Sequence, residues 1–85
     1  MKFLAEIFIM PHKELLDPQG KAVHHGIQKM NLSTIQNVRI GKKIDLTVVA
    51  NTKEEADTQV KEACEKLLVN KIMEQYHYTL SQLES

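Results

Sequence analysis

An α+β domain is predicted by three observations. The opening segment alternates like a strand, two later segments carry helical apolar stripes behind N-capping residues, and turn residues space the elements into the order β-α-β-β-α-β. The expected architecture is two helices on one face of a mostly antiparallel four-stranded sheet, a single domain over residues 1–85 that oligomerises through its sheet. At this length, size scaling gives roughly 5,100 Å² of folded surface, with about 64% of the extended chain's surface buried. That is near the lower limit for a core standing alone.

The first strand is Lys2 to Met10, where Phe3, Ala5, Ile7 and Ile9 alternate with Leu4, Glu6, Phe8 and Met10. Both faces are apolar apart from Glu6, whereas one layer of helices covers only one face. The second face needs a cover from another chain, so the sequence predicts a homo-oligomer, dimer or tetramer, with Leu4 and Phe8 in the contact. Each such side chain contributes about 1.5–3 kcal/mol when buried.

The first helix starts behind Asp17. Its carboxylate can accept backbone N–H bonds, and Pro18 suits the first helical position because its missing donor would be unpaired there. Ala22, Val23, Gly26, Ile27 and Met30 form its stripe, and Asn31 is a suitable stop. Strands follow at Ile35 to Ile40 and Lys43 to Ala50. Gly41-Lys42 reads as a two-residue hairpin with a positive φ at the glycine. Arg39 and Lys42 flank that turn as a solvated basic tip open to a partner, unless Arg39 pairs with Asp45 across it. Thr52 and Glu55 have the spacing of a capping box for the second helix, and Glu54, Glu55 and Asp57 suit its N-terminal dipole. Ala56, Val60, Ala63, Cys64, Leu67 and Leu68 are its expected buried stripe, Asn70 its end, and Tyr76 to Leu83 the last strand.

Composition limits the function classes. Eleven basic and eleven acidic side chains leave no net field to gather nucleic acid or bind a membrane. The charges are nevertheless segregated. Residues 1–43 carry seven Lys/Arg against three Asp/Glu, and residues 44–85 carry four against eight. Cys64 is a lone cysteine expected in the core, which excludes a disulfide within the chain and a cysteine zinc cluster. His24 and His25 point about 100° apart on a helix, and His12 and His77 stand alone, so no metal site is predicted. Ser33, Ser81 and Ser85 have no activating neighbours, and three scattered glycines do not make a phosphate loop. No catalytic or cofactor-binding residue is predicted. Glu6 and Pro11 interrupt the apolar start before it can act as a signal peptide, no stretch reaches membrane-spanning length, and a cytoplasmic location is expected.

Three stretches carry a resemblance. Leu16-Asp17-Pro18-Gln19-Gly20-Lys21-Ala22-Val23, Val38-Arg39-Ile40-Gly41-Lys42-Lys43-Ile44-Asp45-Leu46, and Cys64-Glu65-Lys66-Leu67-Leu68-Val69-Asn70 with Glu74-Gln75-Tyr76 together resemble the small PurS-type subunit of phosphoribosylformylglycinamidine synthase. Lys71 stands where that family commonly has Pro, and Leu15 where a Gly-Val pair is common. The resemblance implies a non-catalytic subunit in purine biosynthesis. It would bridge a glutaminase subunit and a large synthetase subunit, so that ammonia reaches formylglycinamide ribonucleotide in an ATP-dependent reaction. ATP, glutamine and Mg would be used by the complex and none bound by this chain. Asp17, Pro18, Gln19, Gly20, Arg39, Gly41, Lys42 and Asn70 would be the partner-interface candidates. The alternative of another class is a small-ligand-sensing βαββαβ regulatory domain using the Asp17–Gly20 loop, and a third is an RNA-binding sheet.

Overall fold

The computed structural model describes residues 1–83. The elements run β1 (Lys2–Pro11), α1 (Pro18–Lys29), β2 (Lys42–Val49), α2 (Lys53–Ala63) with a π-helical turn (Cys64–Leu68), and β3 (Glu74–Leu83). The fold is α+β, and the sheet has three strands in the order β2-β1-β3, antiparallel throughout.

Burial follows the alternation of β1. Phe3, Ala5, Ile7 and Ile9 are fully buried on one face, where α2 supplies Ala56, Val60 and Cys64. Ile44, Leu46 and Val48 of β2 and Tyr76, Tyr78 and Leu80 of β3 extend this core to either side. The two tyrosines also tie sheet to helix. The Tyr78 hydroxyl donates to Asp57 Oδ1 and the Tyr76 hydroxyl to Glu65 Oε2, both at 2.6 Å. On the other face Leu4, Glu6 and Phe8 are half-buried. Lys43 Nζ lies 3.1 Å from Glu6 and 3.3 Å from Asp45, the cross-strand neighbour of Glu6, so both acids share one cation. Phe8 stacks on His77, with ring centroids 5.0 Å apart.

The structure corrects the expected sheet. Ile35–Ile40 forms no strand. Its two ends are bonded instead to the cap and body of α1, where Asp17 accepts from Ile40 N and His24 Nε2 donates to the Ile35 carbonyl. No hairpin exists at Gly41-Lys42, because Gly41 has no positive φ and Lys42 already belongs to β2. Gly is required at 41 for a different reason. A Cβ there would collide with the Ile9 carbonyl and the Met10 sulfur.

The helices are corrected as well. Of the two helices, α2 carries the packing on the described sheet. The stripe of α1 is largely in solvent, with Val23 43% and Met30 68% exposed, and Gly20 is the only buried residue of that helix. In α2 the π-helical turn, closed by the Val69 N–H on the Cys64 carbonyl, adds a residue to the turn and rotates Leu67 out to 81% exposure. Leu68 and Val69 pack in its place. The last strand starts at Glu74, two residues before the expected Tyr76. With α1 held off the sheet, the molecule measures 52 × 29 × 14 Å, and its radius of gyration is 16.8 Å against about 12 Å for a compact chain of this length. No helix of the described residues is long and apolar enough to cross a membrane.

Two measurements check this packing. Replacing Ile7 with Ala removes a fully buried side chain from the centre of the core and should lower the unfolding free energy by about 2–5 kcal/mol in urea titration. The carboxylate acceptors and burial push both phenols up to about 12. Absorbance titration should therefore show both tyrosines ionising near that value in the folded protein. Because the folded values are raised, this stabilisation is complete below the ordinary phenol pKa and is lost as pH climbs toward 12.

Candidate functional site

Four separate segments meet at one end of the sheet and enclose a groove of about 480 Å³. They are the end of β1 (Ile9, Pro11), the loop Leu15–Gln19, the stretch Ile40–Lys42 that enters β2, and Met73–Glu74 at the start of β3. Two carboxylates hold the segments together, each using both oxygens.

Asp17 is the first. Its Oδ1 accepts from Gly20 N at 2.9 Å and caps α1, while its Oδ2 accepts from Ile40 N, also at 2.9 Å. The bonds from Gly20 and Ile40, in that order, and the nearby Arg39 guanidinium hold the Asp17 carboxyl below its ordinary value. Gly20 is glycine because its Cα faces this crossing directly, and a Cβ would strike the Val38 carbonyl and the Asp17 carboxylate. The Arg39 guanidinium donates to the Pro11 carbonyl, so it anchors the same crossing to the end of β1.

Glu74 is the second. Its Oε1 accepts from Asn70 N at 2.9 Å, and its Oε2 lies 3.5 Å from Lys42 Nζ. Asn70 shapes the turn that precedes β3: its side chain accepts from Ile72 N, and its carbonyl accepts from Met73 N and Glu74 N. His12 then stitches this turn to β1. Its backbone N–H donates to the Met73 carbonyl, and its Nε2 donates to the Lys71 carbonyl, so the proton sits on Nε2.

The fold thus brings Asp17, Pro18, Gln19, Gly41 and Lys42 to one groove and leaves Gly20 buried beneath it. Asn70 reaches the groove through Glu74. Arg39 is half-buried and bonded within the chain, which corrects its expected place on a solvated tip. Lys43, not Arg39, pairs with Asp45. Leu4 and Phe8 lie away from the groove, on the open sheet face. Sequence reasoning missed Glu74 and His12. The spacing Asn70…Glu74 was a legible sign of a carboxylate closing a turn, but His12 found its partner 59 residues away and left no local trace.

Chemically, the groove offers recognition. Its lining combines apolar Ile9, Leu15 and Met73 with Gln19 and the partly solvated Lys42, which is 54% exposed. Cys64 lies in the core, its thiol pushed up first by burial and then by Glu65. Among the described residues no three His, Cys, Asp or Glu side chains are grouped to hold a metal ion.

Residues 4–82 match the family model PurS: Phosphoribosylformylglycinamidine (FGAM) synthase. The phosphoribosylformylglycinamidine synthase subunit PurS of Bacillus subtilis is 37% identical over 81 residues, which cover 95% of this chain and 95% of the relative. The crystal structure of Bacillus subtilis PurS superposes with a TM-score of 0.83 at 36% identity, covering 94% of this chain and 99% of that one. A chain in the structure of PurLQS from Thermotoga maritima superposes with a TM-score of 0.88 at 32% identity, covering 95% of this chain and 99% of that one.

The double role of Asp17 is open to test. An Asp17→Asn variant retains a good capping residue but loses the charged acceptor for Ile40. Since the folded carboxyl is held below its ordinary value, its stabilisation is present above that value and is lost as pH falls through the folded one. Melting curves should therefore show wild type and Asp17→Asn furthest apart near neutral pH and converging below about pH 4.

Proposed function

The chain belongs to the PurS family of phosphoribosylformylglycinamidine synthase, a subunit of that enzyme in purine biosynthesis, and on that premise we propose that it acts as a non-catalytic connector within the complex. The connector joins a glutaminase subunit, which releases ammonia, to a large synthetase subunit, which phosphorylates the amide oxygen of formylglycinamide ribonucleotide and accepts the ammonia. Holding the two together makes ammonia transfer effectively intramolecular and favours capture over escape. ATP, glutamine and Mg are used by the partner subunits. The complex works in the cytoplasm, and the small subunit is present as a homo-oligomer.

The observation that supports this reading is the groove. Residues from three parts of the sequence, Asp17–Gln19, Gly41–Lys42 and Glu74, converge there, and all three parts belong to the stretches that resemble the family. Asp17, Arg39 and Glu74 are bonded within the chain, whereas Gln19 and Lys42 line the groove as exposed residues, Lys42 in a solvated pair with Glu74. Asp17 and Arg39 thus shape the surface, and Gln19 and Lys42 offer it to a partner. The elongated body supports the same role, since a slab 52 Å long and 14 Å thick presents separate regions to two large neighbours.

The test pairs a pull-down with a melting curve for a Gln19→Ala, Lys42→Ala double variant. The Lys42–Glu74 pair is exposed and solvent-screened, so the melting temperature should stay nearly unchanged. Affinity for the synthetase or the glutaminase should fall at least about tenfold. Normal binding to both would remove the groove from the interface, and a large melting loss would make the two residues structural.

A further inference from the structure

We propose that the outer edge of β3 is a docking strand: an extended segment of a partner subunit pairs with it and sets a basic side chain over the hollow beside α2. The proposal rests on the connector reading above and gives the connector a second surface, on the side of the sheet away from β2.

The edge is long and unguarded. In the sheet order β2-β1-β3, the strand Glu74–Leu83 pairs with β1 on one side only. Its ten residues offer about 34 Å of open edge. Among the described residues, no backbone hydrogen bond outside that pairing involves Gln75 to Leu83. Soluble proteins commonly block such an edge with lysine, proline or a bulge. β3 contains no Lys, Arg, Pro or Gly, and its register against β1 runs unbroken from Glu74 to Leu83. Such a strand is free to take another strand, whose main chain would supply the hydrogen bonds.

The hollow makes the edge selective. α2 lies over β1 and β2, which leaves room beside the helix above β3. A hollow of about 470 Å³ opens there, lined by Lys53, Glu54, Asp57 and Thr58 of α2 and by Tyr78 and Leu80 of β3. Alternate side chains of an added strand would point to this same face. The surroundings are acidic. Residues 53–65 carry five acids against two lysines, and neither Glu54 nor Asp57 forms an ion pair among the described residues. The Tyr78 hydroxyl holds Asp57 in place through Oδ1. A Lys or Arg of the incoming segment would therefore meet unpaired carboxylates above an apolar floor at Leu80. On its opposite face β3 exposes Gln75, His77, Thr79 and Ser81, so the remaining side chains of the segment would be polar.

The same charges disfavour a second copy of this chain as the occupant. Two β3 edges paired about a two-fold axis would set two acid-rich helices on one side of a shared sheet, like charge beside like charge. A basic segment of another subunit meets no such repulsion.

Two experiments use the full chain with its cognate synthetase and glutaminase subunits. The first follows hydrogen exchange of the free chain and of the complex. Alternate amides between Gln75 and Leu83 should exchange at least about tenfold more slowly in the complex. The second measures binding by a Glu54→Lys, Thr58→Lys double variant. Both positions are exposed, so circular dichroism and melting temperature should be nearly unchanged. Affinity for one of the two subunits should fall at least about tenfold. A complex in which the β3 amides exchange as they do in the free chain would overturn edge docking and leave the connector reading standing. Normal binding of both subunits by the folded double variant would do the same. Protection that rises with the concentration of this chain alone would assign the edge to a second copy, again against the proposal. A wild-type chain that binds neither subunit would overturn the connector reading and edge docking together.

Discussion

The central strand carries the constraint to which the rest of the molecule answers. β1 pairs with β2 over eight residues and with β3 over ten, and its Phe3, Ala5, Ile7 and Ile9 are fully removed from water. Those four side chains need a lid, and α2 with its π-helical turn supplies one through Ala56, Val60 and Cys64. Small residues at 56 and 64 let the helix approach the strand closely. The tyrosines of β3 then reach past the helix to its acids, so polar groups at the margin of the core are satisfied and none of the described buried side-chain polar atoms lacks a partner.

Loop architecture is governed by a different economy of groups. Asp17 and Glu74 each divide two carboxylate oxygens between a local turn and a distant segment. One oxygen shapes the helix start or the turn nearby, and the other fixes where a remote piece of chain arrives. Together with His12 and Arg39 they define a groove whose walls are held from within, leaving its exposed rim to other contacts. A rim whose supporting side chains are already bonded is pre-organised, and a partner loses little by ordering it.

That arrangement suits a subunit whose work is positional. In the proposed assembly the chemistry resides in the neighbours, and this chain contributes geometry through an elongated body, a groove braced at one end of the sheet, and an open sheet face on which Leu4 and Phe8 stand among charged and polar neighbours. For a chain of this size, limited core area and the need for outside contacts have one origin. Surface that a small domain cannot bury alone is surface available for assembly.

Local features were legible in the sequence. The alternation of β1 marked both of its faces, Asp17 and Thr52 marked both helix starts, and each does accept the backbone N–H three residues on. The family stretches marked most of the groove residues. Three features were decided only in the folded structure. Ile35–Ile40 has strand-like composition, but it pairs with no strand and its ends are bonded to Asp17 and His24. Leu67 has helical spacing, but a π-helical turn changes its direction. Gly41 was rightly marked as a special position and assigned the wrong reason: it admits the Ile9 carbonyl and Met10 sulfur instead of turning the chain. Periodicity and capping arise between residues a few positions apart, so the sequence alone determined them. Whether an apolar strand or helix finds its cover within the chain depends on how far the connecting backbone can reach, and only the folded chain decided that.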